Sequence, residues 1–245
     1  MSNSGELVSL SALDDGVRVI RLERAEARNA LNSEMLVSML EHLDTVVSDE
    51  EARAVVISSN DHLGLSAGAD VKEQLDEAGR IKRMELFADL YDTVVAFPKP
   101  TLAACHGSVV GGGAEIAIGC DLRVAGGNLR MKFPGAELGV PVGPARLVTL
   151  CGLSTAKYLL LTSRNVGADE ALRLGLVHRV APAARTEEAT VELATEVASH
   201  PPEAVARLKQ MLHQWDGVEE RTESEGRGQV EWQRSGPGLP HSPAD

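Results

Sequence analysis

The sequence predicts one α/β domain followed by a layer of helices. Strand-like and helix-like segments alternate through about residue 133, the pattern beyond is almost wholly helical, and 245 residues with 43% apolar content can bury one sizeable core. Val17-Arg18-Val19-Ile20-Arg21-Leu22 alternates apolar and polar side chains with a period of two, which predicts a strand with one buried face. Ser33 precedes Met35, Leu36, Met39, Leu40 and Leu43 at helical spacing, so it is the expected N-cap of a helix ending near Ser48. Ala54 to Ser58 predicts a buried strand, and a loop rich in Gly, Ser and Asp follows. The helical pattern from Val71 to Phe97 is stopped by Pro98 and Pro100. Thr101 to Cys105 is an all-apolar strand that runs into a glycine cluster and then a helical run, Ala114 to Gly119. Asp121 to Ala125 and Leu129 to Phe133 predict two more short strands. Further helical patterns fall near 144–151, 154–162, 168–174, 186–199, 202–216 and 218–234, and the Pro/Gly/Ser-rich stretch 235–245 predicts a disordered tail.

Composition narrows the function. A net charge of −12 argues against nucleic acid or an anionic membrane as partner, because either polyanion is repelled at long range. Few aromatics are available to stack bases. Cys105, Cys120 and Cys151 are far apart and form no C-x-x-C pair, so buried reduced thiols are expected and a metal site is not. Met1 to Glu6 lacks a basic stretch leading into an apolar run, and no window approaches a membrane span, so a cytoplasmic location is expected.

Two segments can carry chemistry. Gly111-Gly112-Gly113 lies between a strand and a helix, where absent side chains let the backbone approach a ligand and the first N–H groups of the helix lack partners. Such donors, at the positive end of a helix, favour an anion or a developing oxyanion. Leu65 to Val71 has the same character, small residues after a strand and then Asp70, which can cap the helix it opens. Neither segment carries the Lys-Ser or Lys-Thr of a phosphate loop, and neither has the G-x-G-x-x-G of a dinucleotide fold.

Taken together, Ser66-Ala67-Gly68-Ala69-Asp70-Val71-Lys72 and His106-Gly107-Ser108-Val109-Val110-Gly111-Gly112-Gly113-Ala114-Glu115 resemble the two oxyanion-hole motifs of the crotonase superfamily, the enoyl-CoA hydratase/isomerase family. Supporting similarities are Glu23 to Asn32, Cys120 to Ala125, Leu138-Gly139 and Ala168 to Val180, so the resemblance covers roughly residues 15 to 230. It implies a crotonase-like core of stacked ββα turns over residues 1–190 and a C-terminal helical trimerisation region over 191–234, giving a homotrimer or homohexamer. It also implies an acyl-CoA thioester as substrate, with coenzyme A part of that substrate and no separate cofactor. Carried over by position, Ala69 and Gly112 are the oxyanion donors and Glu115 the acid-base. Ser66, Ala67, Gly68 and Asp70 are expected along coenzyme A, and Arg28 and Lys72 near its phosphates.

The resemblance has gaps. A second family glutamate, in a P-E-x-x-L-G turn, falls on Gly135, with Glu137 two residues on; such a shift moves a side chain by roughly 6–7 Å in extended chain. One carboxylate suits moving a double bond better than adding water, which needs both a base and an acid. Replacing Gly135 with Glu is expected to raise hydration if the backbone accepts it. The alternatives are a non-catalytic acyl-CoA binder and a decarboxylase of the same superfamily. His106 reads as a packed histidine.

Overall fold

A computed structural model describes residues 6–240. In chain order the strands are β1 (Val8–Ala12), β2 (Val17–Leu22), β3 (Ala54–Ser59), β4 (Gly64–Ser66), β5 (Thr101–Cys105), β6 (Ser108–Val110), β7 (Leu122–Gly126), β8 (Arg130–Lys132) and β9 (Arg179–Ala181). The helices are α1 (Ser33–Ser48), α2 (Glu77–Val95), α3 (Gly112–Gly119), α4 (Gly135–Leu138), α5 (Pro144–Thr162), α6 (Ala168–Arg173), α7 (Thr186–Ala198), α8 (Pro202–Asp216) and α9 (Val218–Ser235). A six-stranded sheet runs β1-β2-β3-β5-β7-β9, parallel except for the β1-β2 hairpin, and a three-stranded parallel sheet runs β4-β6-β8. Three successive turns, β3-β4-α2, β5-β6-α3 and β7-β8-α4, therefore each place one strand in the large sheet and one in the small. This is the stacked ββα arrangement.

Strand β2 is covered on both faces, not one. Ile20 and Leu22 join the core with α1 and α2, while Val17 and Val19 pack with Leu193, Ala194 and Ala198 of α7. Its two arginines each reach an acid on the side they face: Arg18 Nε donates to Asp49 at 2.7 Å and Arg21 Nη2 to Glu187 at 2.8 Å. A buried strand can thus carry cations where its neighbours supply carboxylates.

Helix starts differ from expectation through local side-chain bonds. Asn32, not Ser33, caps α1, accepting the Met35 N–H at 3.0 Å, and the Ser33 N–H is taken by Glu73. Helix α2 begins at Glu77, capped by Asp76 on the Gly79 N–H, rather than at Val71. Residues 71–76 stay out of the helix because the Asp70 carboxylate closes a turn onto the Lys72 N–H at 2.9 Å and pairs with Arg24 at 2.7 Å. The patterns at 144–151 and 154–162 form one helix, α5, broken at Gly152, whose φ of 76° is left-handed. Strands β1, β4, β6 and β9 are too short or too mixed to show a period.

The C-terminal helix α9 lies along α2 of the same chain, with Thr222, Gly226 and Gln229 buried. A side chain at Gly226 would begin 3.0 Å from the Ala88 Cβ, so glycine there permits the close approach. The expected disordered tail begins with residues that are placed: Leu239 is buried against Met84 and Val140. The rest of that stretch, 241–245, lies outside the described residues.

Candidate active site

Strands β4 and β6 are parallel neighbours, with Gly64 beside Ser108 and Ser66 beside Val109. The segments that follow them, 67–70 and 111–112, therefore leave the same sheet edge side by side. Leu31 holds the first like a short strand: its N–H donates to Gly68 O at 2.7 Å and its carbonyl accepts the Asp70 N–H at 2.9 Å. Alternate amides of an extended chain point to opposite sides, so the Ala69 N–H points away from Leu31. Gly112 is the first residue of α3, where an N–H has no partner within the helix. Among the described residues neither the Ala69 nor the Gly112 amide is hydrogen-bonded.

The two segments touch through glycine. Gly68 has φ of +95°, and a side chain there would begin 2.9 Å from Val110 O and 3.5 Å from Gly112 N. The absence of a side chain there lets the two segments approach closely. Helix α3 is fixed at its other end by Arg123, whose guanidinium is fully buried and donates to the carbonyls of Ala117, Cys120 and Leu176. This is the physical role of Arg123 in the Cys120 to Ala125 motif.

The two segments border a cavity of about 330 Å³, whose wall includes Ala67, Gly68, Ala69, Gly111 and Gly112. Met84, Phe87 and Tyr91, one face of α2, line it, with Pro134, Val140, Val142, Gln229 and Leu239. Lys132 and Glu137 are in the wall too, paired at 2.6 Å. Arg28, Ser66, Asp70, Lys72 and His106 do not reach it. Ser66 is buried, donating to Asn29 O and accepting the Gly68 N–H, so it shapes the segment that borders the cavity. Burial would raise the Asp70 carboxyl, but Arg24 and the Lys72 N–H outweigh it and hold the group low. Arg28 and Lys72 are exposed, and the Arg28 carbonyl accepts the Ala67 N–H. His106 Nε2 lies 2.7 Å from Asp61 O, a packed histidine. Burial pushes Cys105 and Cys120 up to about 12, leaving inert thiols.

Glu115 is 1% exposed and is also absent from the cavity wall. Arg146 Nη2 donates to Glu115 Oε2 at 2.8 Å and to Glu225 Oε1 at 2.7 Å, so one buried guanidinium serves two carboxylates. Glu225 also accepts the N–H groups of Gly143 and Ala145, clamping the start of α5 to α9. Among the described residues the Glu115 Oε1 has no hydrogen-bond partner, and it packs against Gly143, where a side chain would begin 2.6 Å away. Burial raises Glu115 to about 7 against the pull of Arg146, and the charge of Glu225 adds to the rise. Behind the guanidinium lies the Tyr91 ring, 4.7 Å from Arg146 Cζ to its centroid. Sequence reasoning missed Tyr91, Arg146, Glu225 and Gln229, which come from three helices distant in sequence. The one available signal was the spacing of Met84, Phe87 and Tyr91 along a single helix face.

Gly135 explains itself structurally. The chain turns back so tightly after α4 that the Val140 N–H donates to Gly135 O at 2.8 Å, and a side chain at 135 would begin 2.5 Å from Val140 O. The expected gain from placing Glu there depends on the backbone accepting it, and the obstacle is backbone, so an acid enters only if the turn moves.

The ββα turns, with two unbonded backbone amides in segments that border an apolar cavity, define a protein of the crotonase fold. The chain belongs to the enoyl-CoA hydratase/isomerase family, whose model matches residues 13–230. It is 35% identical over 203 residues to a short-chain-enoyl-CoA hydratase of Clostridium acetobutylicum, covering 80% of this chain and 77% of that one. It is 34% identical to a 2,3-dehydroadipyl-CoA hydratase of Escherichia coli, covering 81% and 78%. Among solved structures, an enoyl-CoA hydratase/isomerase from Xanthobacter autotrophicus Py2 superposes with a TM-score of 0.84 at 26% identity, covering 96% of this chain and 89% of that one.

Proposed function

We propose that the chain transforms acyl-CoA thioesters, seating the thioester oxygen on the Ala69 and Gly112 amides and moving a proton on the neighbouring carbons through Glu115. The observation that carries this is the pair of unbonded amides at the wall of an apolar cavity. Fixed donors of this kind bind the enolate more strongly than the neutral thioester, because charge reaches the oxygen only in the transition state. A carboxyl raised to about 7 is matched to taking and returning a proton near neutrality. One such group suits isomerisation better than hydration. The role requires the Glu115 carboxyl to turn from Arg146 toward the acyl chain.

The test is turnover of short and medium 2-enoyl-CoA and 3-enoyl-CoA esters, followed by mass. The base form must be ionised, so kcat/KM rises as pH increases through an apparent pKa near 7. Glu225→Gln removes a charge that raises Glu115, so this limb moves to lower pH. Glu115→Gln lowers the rate on the order of 10²–10⁴-fold. No turnover of any ester, or a rate indifferent to Glu115→Gln, contradicts the assignment. A second reading, acyl-CoA binding without chemistry, is favoured by the position of Glu115 outside the cavity wall; calorimetric binding with no product establishes it.

A homotrimer or homohexamer is part of the same proposal, and the surface supports it. Leu208, Leu212 and Trp215 form an exposed stripe on α8, and Leu153, Tyr158 and Leu161 are exposed on α5. Apolar area of this kind is costly in water and is covered in an oligomer. Light scattering is expected to give the mass of three chains, or of six, and the pair Leu212→Glu and Trp215→Glu to give one. A monomeric wild-type chain rules this out.

A further inference from the structure

One wall of the cavity is the chain's own end. After α9 the segment 236–240 folds back on the last turn of that helix, where the Leu239 N–H donates to Gln233 Oε1 at 2.9 Å. That turn is itself anchored: Trp232 Nε1 donates to Gly139 O at 2.9 Å, and Arg234 pairs with Glu85 of α2 at 2.8 Å. Gly238 has φ of +64°, and a side chain there would run into the Gln233 amide, so the return needs glycine. Leu239 is the one large apolar side chain among residues 235–245, which are otherwise Gly, Pro, Ser, His, Ala and Asp. It is 7% exposed, packs with Met84 and Val140, and lines the cavity with both.

Helix α2 gives the cavity a direction. A side chain on Gly112 would begin 3.0 Å from Phe87 Cε1 and 3.3 Å from Tyr91 Oη, so the Gly112 amide belongs to that stretch of the helix face. Met84 precedes Phe87 by about one helical turn and Tyr91 by about two, roughly 5 and 10 Å along the axis. Leu239 sits at the Met84 end, and Ala69 packs against the same cluster, so a few carbons of chain would span the distance. This end is apolar and closed, with Met84, Val140 and Leu239 all buried, whereas Ala67 and Glu137 of the wall are exposed. The phosphates of coenzyme A must stay in water, so the coenzyme takes the open side and the alkyl chain runs toward Leu239. At about 330 Å³ the cavity is at the small end of the roughly 300–1,000 Å³ that ligand pockets span, so one side chain in its wall decides how much alkyl chain enters.

We infer that Leu239 is the stop that sets the acyl-chain length this cavity accepts, held in place by the chain's own C-terminal strap. This rests on the acyl-thioester reading of the cavity. Each methylene that fits adds binding, and each that meets Leu239 must displace it or stay in water.

The experiment is a calorimetric titration of the full chain, as wild type, Leu239→Ala and Leu239→Trp, with butyryl-CoA and octanoyl-CoA, saturated esters that need not react. Its readout is the ratio of the octanoyl to the butyryl association constant. Leu239→Ala is expected to raise this ratio about tenfold, and Leu239→Trp to lower it about tenfold. Each variant is first checked for a cooperative melting transition, and where one fails to fold the other decides. A ratio that stays within threefold of wild type in a folded variant overturns the stop, and so does a change shared equally by both esters, which would put Leu239 beside the coenzyme. Either result leaves the acyl-thioester reading intact, whereas a wild-type chain that binds neither ester contradicts that reading and the stop together.

Discussion

Arg146→Ala is expected to be the most damaging single substitution away from the cavity. Its guanidinium is 2% exposed, bonds both Glu115 and Glu225, and covers one face of Tyr91. Removing it leaves two carboxylates in the same dry region with no cation between them, and breaking a buried pair in this way costs about 3–5 kcal/mol. For a chain of this length that lowers Tm on the order of 10 °C. Attribution to stranded charge, rather than to lost volume, has its own check. Combining Arg146→Met with Glu115→Gln and Glu225→Gln removes both the cation and the charges it served, and should recover most of the loss. An Arg146→Ala chain that melts within about 2 °C of wild type would show that the triad does not hold α5 and α9 together.

The second large effect is expected at Gly68. Its left-handed φ of +95° suits glycine, and a methyl group there meets Val110 O at 2.9 Å. Both the strain and the contact are backbone, so Gly68→Ala relaxes by moving segments 67–70 and 111–112 apart. That separates the Ala69 and Gly112 amides. Losing one oxyanion donor costs about 10²–10³ in rate, and Gly68→Ala is expected to fall in that range with the fold retained. Gly228→Ala, on an exposed turn of α9 with open space around it, is the matched control and keeps turnover within about twofold. Equal activity in the two variants would contradict the proposed pairing of the Ala69 and Gly112 amides on one oxygen.

The close approach of the two segments was legible in the sequence because it is backbone. Small residues after an apolar strand are needed wherever two main-chain segments must touch, and that need is visible at 66–70 and 111–113 without knowing what lies opposite. The stacking of ββα turns was legible only through the family resemblance, since β4 and β6 are three residues each and carry no period. The start of α2 was misread for a different reason: Val71 continues the apolar spacing, but Asp70 bonds the Lys72 N–H and draws residues 71–76 into turns. Glu115 was found by position, yet its surroundings were not. What it meets is decided by Arg146 and Glu225, 31 and 110 residues further along, and helix periodicity is silent on contacts of that range. Gly135 shows the converse, a position that read as a lost acid and is filled by a tight return of the chain.

The most direct measurement is a crystal structure with butyryl-CoA bound, a saturated thioester that cannot be hydrated or isomerised. The account predicts its carbonyl oxygen between the Ala69 and Gly112 amides, about 2.7–3.1 Å from each nitrogen. A thioester whose oxygen lies away from both amides, with the acyl chain outside the cavity lined by Phe87 and Tyr91, contradicts it.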